Sequence, residues 1–156
     1  MKHSLIILAA ALSIAACNPK DKKAGAGNGN TPDTAGKLTP DQIAKAVTDS
    51  ANFTTIQWID STVLSLGKLK KNQEVEVTFR FKNSGNKVLV IESVSAGCGC
   101  TIPEKPEKPF APGEEGVIKA KYNGSGSGAI SKQVTVIANT TPQKDHILTF
   151  TGDVQE

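Results

Sequence analysis

Val75-Glu76-Val77-Thr78-Phe79-Arg80-Phe81 is the stretch that decides the fold. Valine and phenylalanine take every second position, and Glu76, Thr78 and Arg80 stand between them. A strand sends successive side chains to opposite faces, so this run reads as a strand with one face buried and one in water. On a helix the same apolar residues would be scattered around the axis.

Working outward, the same alternation predicts strands at 54–59, 63–66, 87–95, 116–122, 130–138 and 146–153. Ile118, Ala120 and Tyr122 share one face of 116–122, with lysines on the other. Ile130, Val134, Val136 and Ala138 form the inner row of 130–138. Turn chemistry separates the runs at Asn83-Ser84-Gly85-Asn86, Pro112-Gly113, Gly124-Ser125-Gly126-Ser127-Gly128 and Thr141-Pro142. About seven short strands with regular turns and no helix between them predict an all-β, immunoglobulin-like sandwich over 53–156. Aromatics make up only 4% of the chain, so the core is expected to rest mainly on Val, Ile and Leu.

The chain before that domain has another character. Lys2 is followed by an apolar run from Leu5 to Ala16, too short to cross roughly 30 Å of hydrocarbon as a helix. It reads as a signal peptide over 1–16. Ile14-Ala15-Ala16-Cys17 resembles the lipobox of bacterial lipoproteins, which implies cleavage before Cys17 and acylation of its sulfur. Asn18, in place of an aspartate, favours delivery to the outer membrane. Residues 17–38, rich in Gly, Ala, Asn, Lys and Thr, lack apolar periodicity and read as a flexible tether. Thr39-Pro40-Asp41-Gln42 then starts a short helix over 39–52, with a cap, a proline at the first helical position and a capping-box Gln.

Charge narrows the partners. With 18 Lys+Arg against 15 Asp+Glu, and no basic stripe interleaved with aromatics, nucleic acid is excluded as an expected ligand.

With Cys17 assigned to lipid, Cys98-Gly99-Cys100 holds the remaining thiols. Positions i and i+2 of a flat strand lie roughly 6–7 Å apart, beyond comfortable disulfide reach, unless Gly97 and Gly99 permit a tight loop. Three chemistries stay open for the pair: a local disulfide or simple packing, a soft-metal site for monovalent copper, or thiol redox exchange. Catalytic constellations are harder to find. His146 is the one histidine beyond the leader, and Asp145 beside it points to the other face of a strand. Glu114-Glu115 read as a solvated turn, and Gly124–Gly128 lacks the lysine and helix of a phosphate loop. No enzyme is expected and no cofactor, copper at Cys98 and Cys100 excepted. Asp33-Thr34, Asp49-Ser50 and Asp60-Ser61, each followed by Ala or Thr, resemble acceptors for O-linked glycosylation, which makes Thr34, Ser50 and Ser61 candidate sites.

Phe79-x-Phe81-x-Asn83-x-Gly85, then Leu89-Val90-Ile91, Cys98-Gly99-Cys100-Thr101, Pro112-Gly113-Glu114, Tyr122-Asn123 and Gly128 follow one another in that order. This series resembles the bacterial DUF1573 family, which is similar in turn to the immunoglobulin-like domains of Hydin. The resemblance covers roughly Thr54 to Val154 and implies the sandwich fold in secreted or lipid-anchored proteins, with no established activity. The expectation is a non-enzymatic, lipid-anchored module of the bacterial envelope, facing the periplasm or cell surface, that binds another protein or an envelope polymer. The alternative is a periplasmic protein handling copper or thiols through the Cys-Gly-Cys loop.

Overall fold

The computed structural model describes residues 38–156, so the expected signal peptide, Cys17, nearly all of the expected tether and Thr34 lie outside the described residues. The strands are β1 (Ile56–Trp58), β2 (Val63–Lys70), β3 (Val75–Asn83), β4 (Ile91–Ala96), β5 (Thr101–Glu104), β6 (Glu115–Tyr122), β7 (Gly128–Ala138) and β8 (Asp145–Gln155). They form two four-stranded sheets, ordered β1-β3-β6-β5 and β2-β8-β7-β4. Packed face to face, these make the expected all-β sandwich. All pairings are antiparallel except β2 with β8, which run parallel without a helical crossover.

Among the departures from the sequence expectation, three have a local reason. β5 was not foreseen because Pro103 argues against a strand, yet β5 is an edge, where a missing N–H is tolerated. β2 runs past 66 because Gly67, at φ +68°, lets the chain bulge between Ser65 and Lys68 before pairing resumes at Lys68 opposite Asp153. β4 begins at Ile91 and not at 87: Leu89 makes an isolated bridge to Phe110, and the Val90 N–H donates to the Asn139 side chain at 2.7 Å.

Phe79, Phe81, Ile118 and Tyr122 from one sheet meet Val134, Val136, Leu148 and Phe150 from the other, all fully buried. The four largest fully buried side chains are aromatic, so the core leans on rings more than a 4% aromatic content suggested. Two buried asparagines replace ladder bonds where strands end. Asn83 donates to the carbonyls of Lys87 (2.8 Å) and Phe110 (2.9 Å) and accepts from the Thr54 hydroxyl at 2.9 Å. Asn139 accepts from Val90 and donates to the carbonyls of Val88 (2.9 Å) and Asn52 (3.1 Å).

The helix α1 (Pro40–Thr48) has the expected capping box, with Thr39 and Gln42 bonding reciprocally, and a short 3-10 turn follows at Ser50–Asn52. Ala46 is its buried residue. Lys144 fastens this segment: its Nζ lies 2.7 Å from Glu92, 3.4 Å from the Val47 carbonyl and 5.5 Å from the centre of the Phe53 ring.

Candidate functional site

The Cys-Gly-Cys segment lies where the chain changes sheets. β4 ends at Ala96 opposite Val134 in one sheet, and β5 opens at Thr101 opposite Tyr122 in the other. Residues 97–100 make the crossing as a turn, held by the Thr101 N–H on the Cys98 carbonyl (3.3 Å) and the Asn123 N–H on the Cys100 carbonyl (3.0 Å). The turn brings the two α-carbons to 5.3 Å, and Cys98 and Cys100 are joined by a disulfide. The hydroxyl of buried Thr101 lies 3.9 Å from each sulfur.

Glycine was expected to make this loop possible by its conformational freedom, and the geometry does not use that freedom. Neither Gly97 nor Gly99 adopts a positive φ, and a Cβ at either would meet nothing within 4 Å. The bend comes from an ordinary turn.

As a staple the bond is weak. Closing a loop of three residues restricts the unfolded chain by about 1.6 kcal/mol, against about 3 kcal/mol for a 15-residue loop. It links no distant segments, because the cysteines are two positions apart. The two sulfurs also differ in surroundings. Cys100 packs against the core, whereas Cys98 opens onto a cleft of about 340 Å³ lined by Gly97, Cys98, Ser131, Lys132 and Gln133. Lys132 occupies an inner-row position of β7 at the end of the sandwich, its Nζ 6.0 Å from the centre of the Tyr122 ring. The cleft exists because β4 covers β7 only from Val134 onward, while β8 accompanies β7 back to Gly128. Among the described residues, 128–133 therefore have no strand from their own sheet on the cleft side.

The other singled-out residues do not converge on this loop. His146 lies on β8 opposite Val136, its Nε2 2.8 Å from the Thr140 hydroxyl and its ring 5.9 Å from that of Trp58. Burial pushes its pKa down, and the charge of Asp145 works the other way. Glu114 is taken up by Lys108 and by the Ala111 N–H (2.9 Å), which hold its carboxyl below the usual range; Glu115 stands opposite Lys82. Among the described residues no group of three or more His, Cys, Asp or Glu side chains comes together as metal ligands. The copper alternative thus has two sulfurs bonded to each other and no third donor among the described residues. Ser50 is exposed in the 3-10 turn, and the Ser61 hydroxyl is engaged by its neighbour Val63. Sequence reasoning passed over Lys132; the signal was a lysine breaking the apolar row between Ile130 and Val134.

Two four-stranded sheets in this order define an immunoglobulin-like sandwich. The structure is similar to a protein of unknown function from Porphyromonas gingivalis W83 (16% identity, TM-score 0.58, 67% of this chain and 48% of that one). It is also similar to PapD-like domain 7 of human CEP192 (10% identity, TM-score 0.53, 67% and 88%). Part of the secreted serine protease VesC from Vibrio cholerae matches as well (11% identity, TM-score 0.51, 65% and 23%). At such identities the likeness is one of fold, and the match spans about half the Porphyromonas chain and about a quarter of the protease. No curated protein matches the sequence. The chain belongs to the family described as protein of unknown function (DUF1573), whose pattern matches residues 56–154.

Proposed function

We propose that the chain is a lipid-anchored module of the bacterial envelope that binds a protein partner, held to the membrane through acylated Cys17. The observation behind this reading is the contrast between the two outer faces of the sandwich. On the β3/β6/β5 side, ion pairs cross the sheet: Lys119 with Glu76 (3.3 Å) and Lys121 with Glu104 (2.9 Å). At the centre of the β2/β8/β7/β4 side there is no charge. The register sets Ser95, Thr135 and Ile147 in one row and Gln133, Thr149 and Val63 in the next; exposed aliphatic residues occur on both faces (Val63 59% and Ile147 49% here, Ile102 64% and Val117 38% on the other), so the contrast is one of charge.

Strand faces left in water ordinarily carry charge, and the centres of protein interfaces are depleted in it. A neutral, hydroxyl-bearing face with two exposed aliphatic residues suits a protein surface that must not pay for stripping water from buried ions. The test is cross-linking and pull-down from native membranes with the wild type and with Thr149→Lys. A protein recovered reproducibly with the wild type and lost with the variant supports the reading; equal recovery, or none, sinks it. Recovery of an envelope polymer in place of a protein would change the partner class.

The anchor and the modifications are tested together by intact mass. Acylation at Cys17 adds the mass of diacylglycerol and is abolished by Cys17→Ser. Glycosylation at Thr34 and Ser50 adds hexose-sized increments that vanish in Thr34→Ala and Ser50→Ala; Ser61, whose hydroxyl is already bonded, is the least accessible of the three sites.

A further inference from the structure

We propose that Cys98–Cys100 is a thiol–disulfide exchange site whose substrate is a cysteine in an extended polypeptide laid along the uncovered edge of β7. The inference does not depend on the docking reading above, which uses the outer face of the same sheet. Four observations meet at this place. The bond spans two positions and ties no distant parts of the fold together. Cys98 lines an open cleft while Cys100 packs against the core, so an incoming thiolate reaches Cys98 first. Lys132 lines the same cleft, and a cation beside a thiol favours its thiolate. Residues 128–133 of β7 offer unpaired backbone at that cleft, in the place β4 would fill had it continued past Ala96.

A strand added there antiparallel to β7 would run in line with β4 and begin beside Gly97 and Cys98. Main-chain bonds would give it affinity without a fixed sequence. In the reaction, a substrate thiolate attacks the Cys98 sulfur and the Cys98–Cys100 bond breaks. Cys100 departs as a thiolate and takes a proton, leaving substrate and Cys98 joined. A second substrate thiolate then attacks the substrate sulfur of that bond and displaces Cys98 as a thiolate, which Lys132 favours. In sum, a substrate dithiol loses two electrons and becomes a disulfide, and Cys98–Cys100 gains them and becomes a dithiol. Two protons pass from substrate sulfurs to protein sulfurs, and no further oxidant is required.

The test uses the full, oxidised chain in buffers of reduced and oxidised glutathione that span the poise of oxidising compartments. After acid quench and alkylation, mass spectrometry of the proteolytic peptide carrying Cys98 and Cys100 reads the pair apart from Cys17. The pair is expected to pass from disulfide to dithiol within that range; a pair still oxidised throughout overturns the proposal without any variant. In Cys100→Ser, glutathione disulfide should add to Cys98 at pH 7 about three- to tenfold faster than when Lys132→Gln is also present. Equal rates refute the role of Lys132. Finally, a cysteine peptide of high strand propensity should react with the wild type several-fold faster than the same peptide with alternate backbone amides methylated. Equal rates overturn the β7 edge as the docking surface.

Discussion

Replacing Asn139 with leucine tests whether the sandwich is fastened by buried amides where its ladders stop. Asn139 is fully buried, and its side chain serves three backbone groups: the Val90 N–H and the carbonyls of Val88 and Asn52. Leucine keeps the approximate shape and removes every bond. Val90 is 6% exposed, so its N–H loses its acceptor with little access to water. An orphaned buried donor costs about 1–3 kcal/mol, and each carbonyl that loses a donor a further 0.5–1.5 kcal/mol or so. The expected loss is about 2–6 kcal/mol from a domain stability of order 5–15 kcal/mol. Urea unfolding followed by circular dichroism should show the midpoint falling by about 1–3 M at unchanged slope. Asn139→Asp sharpens the test, because it keeps the acceptor for Val90 but turns a second oxygen toward two carbonyls. Burial and those oxygens raise the folded pKa of the new carboxyl above its unfolded value. Its stability relative to the wild type is then greatest at low pH and falls as pH rises through the folded pKa. A loss below about 1 kcal/mol for Asn139→Leu, or an Asn139→Asp variant whose loss relative to the wild type is no larger at pH 7 than at pH 4, would refute the reasoning.

Glycines separate crowded from open positions: at Gly116 a Cβ would stand 2.4 Å from the rings of both Phe81 and Phe110, whereas at Gly99 it meets nothing within 4 Å. Gly116→Ala should cost about 1–3 kcal/mol or more by thermal or urea melts, and Gly99→Ala less than about 0.5 kcal/mol; similar costs would mean the packing is misread. His146 has a folded pKa lowered by burial from the ordinary 6.5, so the unfolded chain binds its proton more readily. Its contribution is full above that value and is lost as pH falls below it, so urea midpoints should drop from pH 7 to pH 5 in the wild type and stay flatter in His146→Gln; parallel profiles count against the assignment. Opening the Cys98–Cys100 bond should lower stability by no more than about 2 kcal/mol and leave the far-ultraviolet spectrum unchanged; unfolding on mild reduction would show the bond to be a staple after all.

The alternation of Val75 to Phe81 carried the fold, because burial of one strand face writes its period directly into the residues. The rows of 116–122 and 130–138 were legible for the same reason. β5 was not, since Thr-Ile-Pro-Glu signals against a strand unless its position at the edge is known, and edge position is a long-range property. Nor was the parallel pairing of β2 with β8, which depends on the bulge at Gly67 and on residues more than eighty positions apart. At the candidate site the two cysteines were plain in the sequence and their geometry was not. The 5.3 Å approach belongs to a turn created by the change of sheet, not to the flanking glycines. Lys132 and the uncovered part of β7 become visible only when the early end of β4 is known, because what defines them is the absence of a neighbour.

Stability and chemistry occupy different parts of this molecule, and that separation is what would leave the disulfide available for the proposed exchange. An exchange site opens its bond when it reacts, so the protein around it must hold its shape when the bond is gone. Here the core of interlocking rings and aliphatic rows, together with the bonds of Asn83 and Asn139, holds the two sheets, and loop closure by Cys98–Cys100 adds only about 1.6 kcal/mol. The other edges bear on the same point. β5 is short and contains Pro103, and β2 carries a bulge and Lys68 and Lys70, devices that discourage strand addition. Residues 128–133 of β7 have neither proline nor a register shift, and their lysine stands in the inner row. An edge left receptive beside a bond that contributes little to the fold is the arrangement expected of a place where another chain is meant to dock and react.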